Sequence, residues 1–204
     1  MTRTALTLVR HELRLLASLG LWVARRRHGA GDGTAFGYTR GQGAMMFGFG
    51  FVIVIESITM SVLLRDYPAV QRVWFMVDMY TLVLIVGMHA ASVVRPHVLD
   101  GDFLRVRRGA HVDLRIPLER IARVRRELRT THERTEGELN LAVGAQTAVT
   151  LELAEPVAHF TFLGRRQDIR LVRLHADDAD SLVKEVESVT RARSAPSPLP
   201  DPTG

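Results

Sequence analysis

Hydrophobic and polar positions divide the chain into stretches of different periodicity. Residues 45–64, MMFGFGFVIVIESITMSVLL, hold one charge in 20 positions. At 1.5 Å per residue this run predicts a helix of ~30 Å, the thickness of a hydrocarbon core. Residues 73–94, VWFMVDMYTLVLIVGMHAASVV, again carry a single carboxylate and end at Arg95-Pro96. The polar segment between them, RDYPAVQR, contains Pro68 and turns the chain straight back. The prediction is an antiparallel transmembrane hairpin over 45–94.

Upstream, Leu6, Val9, Leu13, Leu16 and Val23 recur at helical spacing, with Arg10 and Arg14 one turn apart on another face. They predict an amphipathic helix lying at the membrane surface with Trp22 at headgroup depth, or packed on the downstream domain. Residues 28–43, ending GYTRGQG, read as a flexible Gly-rich connector, so that 1–44 form one unit.

After Pro96 the period falls from about 3.6 to 2. Val112, Leu114 and Ile116 alternate with Asp113 and Arg115, and Val149, Leu151 and Leu153 with Thr150 and Glu152. Further strands are predicted at 103–107, 121–128, 139–143, 157–163 and 169–175, turning at Arg108-Gly109-Ala110 and Leu163-Gly164-Arg165. A last helix starts at Asp177 as N-cap and buries Leu182, Val183, Val186 and Val189. The fold class is an α+β membrane protein: amphipathic helix, two-helix hairpin, then a small antiparallel β-barrel or sandwich over 95–190 capped by a C-terminal helix. Residues 191–204, with SAPSPLPDPTG, form a disordered Pro-rich tail.

Charge sharpens this picture. Of the formal +5, all of the excess lies before the apolar runs: residues 1–44 carry seven Arg against Glu12 and Asp32, whereas 95–188 balance to zero. That is the pattern of a chain meeting anionic headgroups, Arg25, Arg26 and Arg27 above all, and it argues against nucleic acid as partner. The positive-inside bias places both termini in the cytoplasm of an inner-membrane protein. Zero cysteines exclude disulfides, thiolate catalysis and sulfur-ligated zinc.

The run Leu104-Arg-Val-Arg-Arg-Gly109, then Ile116-Pro117-Leu118 and Ile121-Ala-Arg-Val124, within seven predicted strands and a terminal helix, resembles the bacterial pleckstrin-homology-like domain of small two-span membrane proteins. Ala35-Phe-Gly-Tyr38, Val77-Asp-Met-Tyr80 and Val94-Arg-Pro-His97 are similar to actinobacterial integral membrane proteins of that kind. The resemblance covers roughly residues 98–188 for the domain and brings no enzymatic activity with it. It implies that Arg105, Arg107, Arg108 and Arg115, in the first hairpin, are candidates to contact a headgroup or a partner protein.

Three ionisable residues fall inside the predicted spans: Glu56, Asp78 and His89. Such groups are costly in lipid, by ~2.5–3.5 kcal/mol for Asp at a helix centre, so each should face protein or water. Glu56 and Asp78 lie at similar depth and can meet across the hairpin, whereas His89 lies nearer its other end. Ala44-xxx-Gly48 and Gly87-xxx-Ala91 are small-residue pairs at matching depth, suited to close helix packing within the hairpin or in a homo-oligomer. His97 is expected to anchor the membrane interface. No nucleotide-binding, hydrolase or metalloprotease motif occurs, and no catalytic residue, metal or cofactor is predicted. The expected function is a membrane-anchored scaffold that recruits a protein partner. The alternative is a subunit of an oligomeric ion or proton conductor using Glu56, Asp78 and His89.

Overall fold

The computed structural model describes residues 13, 16–24, 33–40, 42–109, 111–131, 135–161 and 164–194. Arg25, Arg26 and Arg27 lie outside the described residues, as do the first half of the predicted amphipathic helix and the tail from 195. Residues 16–23 form helix α1. Two long helices follow, α2 (Gln42–Leu63) and α3 (Pro68–Val94), each long and apolar enough to cross a membrane. Pro68 occupies the first turn of α3, where its missing N–H costs nothing. No residue of α2 is buried, and its large side chains, Phe47 at 78% and Val62 at 66%, stand exposed. At 27 residues, about 40 Å, α3 is the longer helix. Its last two turns bury Gly87, Ala90, Ala91 and Val94.

Among the described residues the β domain contains eight strands in two four-stranded sheets. The first has the order β1 (Thr34–Phe36), β2 (His97–Leu99), β3 (Phe103–Arg108), β4 (Val112–Pro117). The second has the order β5 (Ile121–Arg129), β7 (Thr147–Phe160), β8 (Arg166–Leu174), β6 (Glu138–Leu141). A 3₁₀ turn, Leu118–Arg120, passes the chain from one sheet to the other, and α4 (Ala179–Ser194) packs on β5 and that turn. Leu104, Val106, Ile116, Leu118, Val149, Leu151, Val172, Leu174, Leu182 and Val186 are fully enclosed between the layers. Each such side chain contributes roughly 1.5–3 kcal/mol through burial.

Several expectations are corrected. Of the expected barrel or sandwich, the β unit has two open sheets and no closed barrel, and it is not wholly antiparallel, because β6 pairs parallel with β8. The stretch expected to be two strands, around 149–153 and 157–163, is one long β7 whose pairing with β8 shifts register between Glu152 and Val157, the segment that contains Pro156. Proline cannot donate to a ladder, so the pairing slips there and the strand continues. Helix α4 runs past 190: Arg193 reaches the Gly101 carbonyl and sits 2.5 Å from Asp102 Oδ1, which holds residues assigned to the tail against the β2–β3 turn. Its N-cap is Asp178, which accepts the Ser181 N–H at 3.0 Å, rather than Asp177.

Residues 33–40, expected to be part of a loose connector, are built into the domain. Thr34, Ala35 and Phe36 pair with Leu99, Val98 and His97. Beyond them Asp177 accepts the N–H groups of Thr39 at 3.1 Å and Arg40 at 2.8 Å, while its own N–H donates to Gly37 O at 2.8 Å. A Cβ at Gly37 would lie 2.8 Å from Asp177 Oδ2, so the close approach requires glycine. The carboxylate that by sequence caps its own helix instead caps the approach to α2.

Replacing Asp177 by Ala withdraws the acceptor from two backbone N–H groups. The expected outcome is amide exchange at Thr39 and Arg40 at least about tenfold faster, with β5 and β7 unchanged, read by hydrogen exchange on the full chain. Equal exchange in variant and parent would contradict the clasp.

Candidate functional site

The polar groups of the helical hairpin do not converge. Asp78 is buried, 6% exposed, and accepts the Ser57 hydroxyl at 2.5 Å. Successive residues of a helix are turned by about 100°, so Glu56, one position before Ser57, points away from α3 and is exposed. The anticipated meeting of Glu56 with Asp78 is therefore replaced by Ser57 with Asp78. Nearer the turn, Gln71 Nε2 donates to Ser61 O and Oγ at 3.0 and 2.9 Å. His89 lies toward the far end of α3, where the edge of its ring meets Trp22 of α1 at 6.1 Å between centroids. Trp22, 39% exposed, thus touches α3 through His89.

The small-residue pairs divide likewise. Gly87 and Ala91 are enclosed, whereas Ala44 and Gly48 face outward, and a Cβ on Gly48 would meet nothing within 4 Å. Helix α2 approaches α3 through another face, that of Gly50, where a Cβ would stand 3.6 Å from Leu82. The two pairs at matching depth therefore do not face each other.

The arginines of the β3–β4 hairpin are mostly committed. Arg105 forms a bidentate pair with Asp113, both contacts at 2.6 Å, and Arg107, 2% exposed, lies 3.6 Å from the same carboxylate. Although partial burial raises it, these guanidiniums hold the Asp113 carboxyl below its ordinary range. Arg115 stacks over Phe103 at 4.0 Å. Arg108, half-buried at the β3–β4 turn, has no described carboxylate within salt-bridge distance. Of the four, it alone has no carboxylate or ring partner among the described residues.

Arg108 borders the root of the hairpin, where sequence reasoning missed the main residues. Tyr38, 2% exposed, accepts the Gly109 N–H at 2.8 Å on its phenol oxygen and stacks on His97 with ring centroids 4.8 Å apart. Burial pushes the Tyr38 phenol up from its ordinary value. Gly109 has φ +53°, so the turn that brings its N–H to Tyr38 favours glycine. His97, expected at the interface, is buried in β2: Nδ1 accepts the Arg107 N–H at 3.1 Å, which leaves the proton on Nε2 to donate to His175 O at 3.0 Å. Burial depresses it to about 4. The only clue in the sequence is position, since both residues flank the helices.

Above Tyr38, between the ends of α2 and α3 and the β3–β4 turn, lies a cavity of about 260 Å³. Gln42 and His89 both line it, and Gln42 Oε1 and His89 Nδ1 are enclosed with no hydrogen-bond partner. Left bare, each such atom costs about 1–3 kcal/mol. Among the described residues no group of three or more His, Asp or Glu could hold a metal.

Two predictions follow from this geometry. A histidine held near 4 when folded and near 6.5 when unfolded takes up its proton preferentially in the unfolded state. Its contribution is whole above pH 6.5 and fades by roughly 3 kcal/mol as pH falls to 4. His159, also depressed by burial, adds to the same trend. Melting temperature measured in detergent from pH 7 to 4 should fall steeply in the parent and less steeply in His97→Gln. Second, Asp113→Ala removes the carboxylate shared by Arg105 and Arg107 and should cost about 2 kcal/mol, seen as a lowered denaturant midpoint at unchanged slope.

Comparison of the chain with protein-family models, with curated proteins and with solved structures finds no match.

Proposed function

We propose that the chain is a membrane-anchored platform: α2 and α3 cross the bilayer, and the β domain, held beneath them in a fixed orientation, recruits a protein partner. The reading places the domain and both termini on the cytoplasmic side of the inner membrane, following the arginine excess before the first helix, and takes the β domain as pleckstrin-homology-like. One observation carries it. An apolar hairpin with no buried residue on α2 is joined at both feet to a well-packed polar-surfaced domain. In water such a surface drives association or aggregation, and in lipid it is already solvated. The polar residues of the spans fit an anchoring role, because Ser57 with Asp78 and Gln71 with Ser61 tie the two helices together.

The conductor reading gains no comparable support. Asp78 is engaged by Ser57, Glu56 faces another direction, and His89 lies against Trp22 several turns away. On the β domain, Leu128 and Phe160 are exposed at 68% and 62% and offer apolar contacts to a partner.

A photo-crosslinking residue placed at Leu128 or Phe160 of the full chain in native membranes should capture the same partner whether Glu56 and Asp78 are intact or changed to Gln and Asn. Proteoliposomes of the parent chain should show no ion flux above empty vesicles. Flux abolished by Glu56→Gln with Asp78→Asn, or a chain that stays in the supernatant as a monomer without detergent, would overturn the proposal.

A further inference from the structure

The cavity at the root of the hairpin has a chemistry that anchoring does not use. It is bordered by Gln42 and Met45 of α2, Met88 and His89 of α3, and Arg108 and His111 of the β3–β4 turn. No carboxylate is among its described lining residues, so no described group there balances the Arg108 charge. Two enclosed atoms from different helices, Gln42 Oε1 and His89 Nδ1, lack partners. Buried polar atoms are nearly always hydrogen-bonded, and two orphans bordering one cavity point to an occupant with hydrogen-bonding groups. Water would satisfy both atoms and leave the guanidinium without a counter-charge.

We propose that this cavity binds a phosphate ester that carries a hydroxyl or ammonium donor, of the size of a phospholipid headgroup. The phosphate oxygens take the Arg108 guanidinium and the His89 imidazole with its proton on Nδ1, a charge-assisted arrangement. The donor of the alcohol or amine satisfies Gln42 Oε1. The volume of about 260 Å³ suits a headgroup and not a whole lipid. Met45 and Met88, exposed at 45% and 46%, continue the cavity onto the apolar faces of α2 and α3 and offer an adaptable surface to a glycerol or acyl chain. The committed arginines of the same hairpin explain why selection falls on Arg108: Arg105 and Arg107 already share Asp113, and Arg115 lies on Phe103.

The occupant reaches the cavity from one of two sources, a membrane lipid or a soluble phosphate ester. The membrane source rests on the proposed insertion of α2 and α3, and the soluble one does not. The test uses the purified full chain in a neutral detergent, titrated separately with dioleoyl phosphatidylglycerol, glycerol 3-phosphate and monoolein, an amphiphile without phosphate. Thermal unfolding is followed together with the fluorescence of Trp22, which touches His89, in a Trp74→Phe background.

At saturation a phosphate ester should raise the melting temperature by about 5 °C and change the Trp22 signal. Arg108→Gln, a change at a half-buried surface residue, should raise the apparent dissociation constant about tenfold or more, as should His89→Leu. Arg123→Gln, on exposed β5, should leave it unchanged. A response to phosphatidylglycerol alone assigns the site to a lipid headgroup, and an equal response to glycerol 3-phosphate assigns it to a soluble ester. Stabilisation by monoolein equal to that by phosphatidylglycerol, no response to either phosphate ester, or a response untouched by Arg108→Gln would overturn the proposal. Because the soluble arm needs no bilayer, failure here is separable from failure of membrane anchoring, which fractionation reads by itself.

Discussion

The structure depends on one constraint: both feet of the helical hairpin stand on neighbouring strands of a single sheet. Strand β1 leads into α2, and α3 leads into β2. Because β1 and β2 are paired antiparallel through Phe36 and His97, the separation of the two helices at their base is set by a strand-to-strand distance. A three-residue strand pair is weak by itself. It is held from both sides, by the Asp177 carboxylate on the Thr39 and Arg40 amides and by Tyr38 stacked on His97 with its oxygen on Gly109. The domain is consequently joined to the hairpin through paired and hydrogen-bonded backbone rather than through a loose connector.

That arrangement accounts for where polar side chains are buried. Tyr38, His97 and Arg107 would each be costly in an apolar interior, and each is placed where a defined partner meets it. Both nitrogens of His97 are used, by Arg107 N–H and by His175 O, which link β2 to β3 and to the approach to α4. Polar groups at this junction therefore fix orientation, while the aliphatic core between the two sheets supplies most of the burial. The helices contribute little to that core, and their phenylalanines, valines and methionines stand largely exposed.

Attachment through two paired strands bears on the proposed recruitment role. Under that proposal a partner docked on the domain would be presented at a set height and azimuth, and a change in the spacing of α2 and α3 would be passed to β1 and β2. The cavity beside Tyr38 sits at that joint, bordered by both helices and by the turn that carries Gly109. On the proposed reading, a ligand there would touch both helices and the β3–β4 turn, and would so couple binding to their relative position.

Much of this was legible in the sequence. Two long apolar runs separated by RDYPAVQR can form only a hairpin, because length and hydropathy are local properties. The alternation around Leu114 and Leu151 fixed strands, and the period at Leu182, Val183, Val186 and Val189 fixed the last helix. Tertiary structure alone decided which partners meet. Asp177 and Asp178 are adjacent and chemically identical, yet one caps α4 and the other clasps residues far away in the chain. Three residues, Thr34 to Phe36, are too few for a periodic signal, and Tyr38 resembles any loop tyrosine until β3 is beside it. Among four similar arginines, only the fold shows that Arg105 and Arg107 share Asp113, that Arg115 lies on Phe103 and that Arg108 borders the cavity. Periodicity reports the environment of an element; the partner of a single polar group depends on contacts between residues distant in sequence, and no local pattern encodes them.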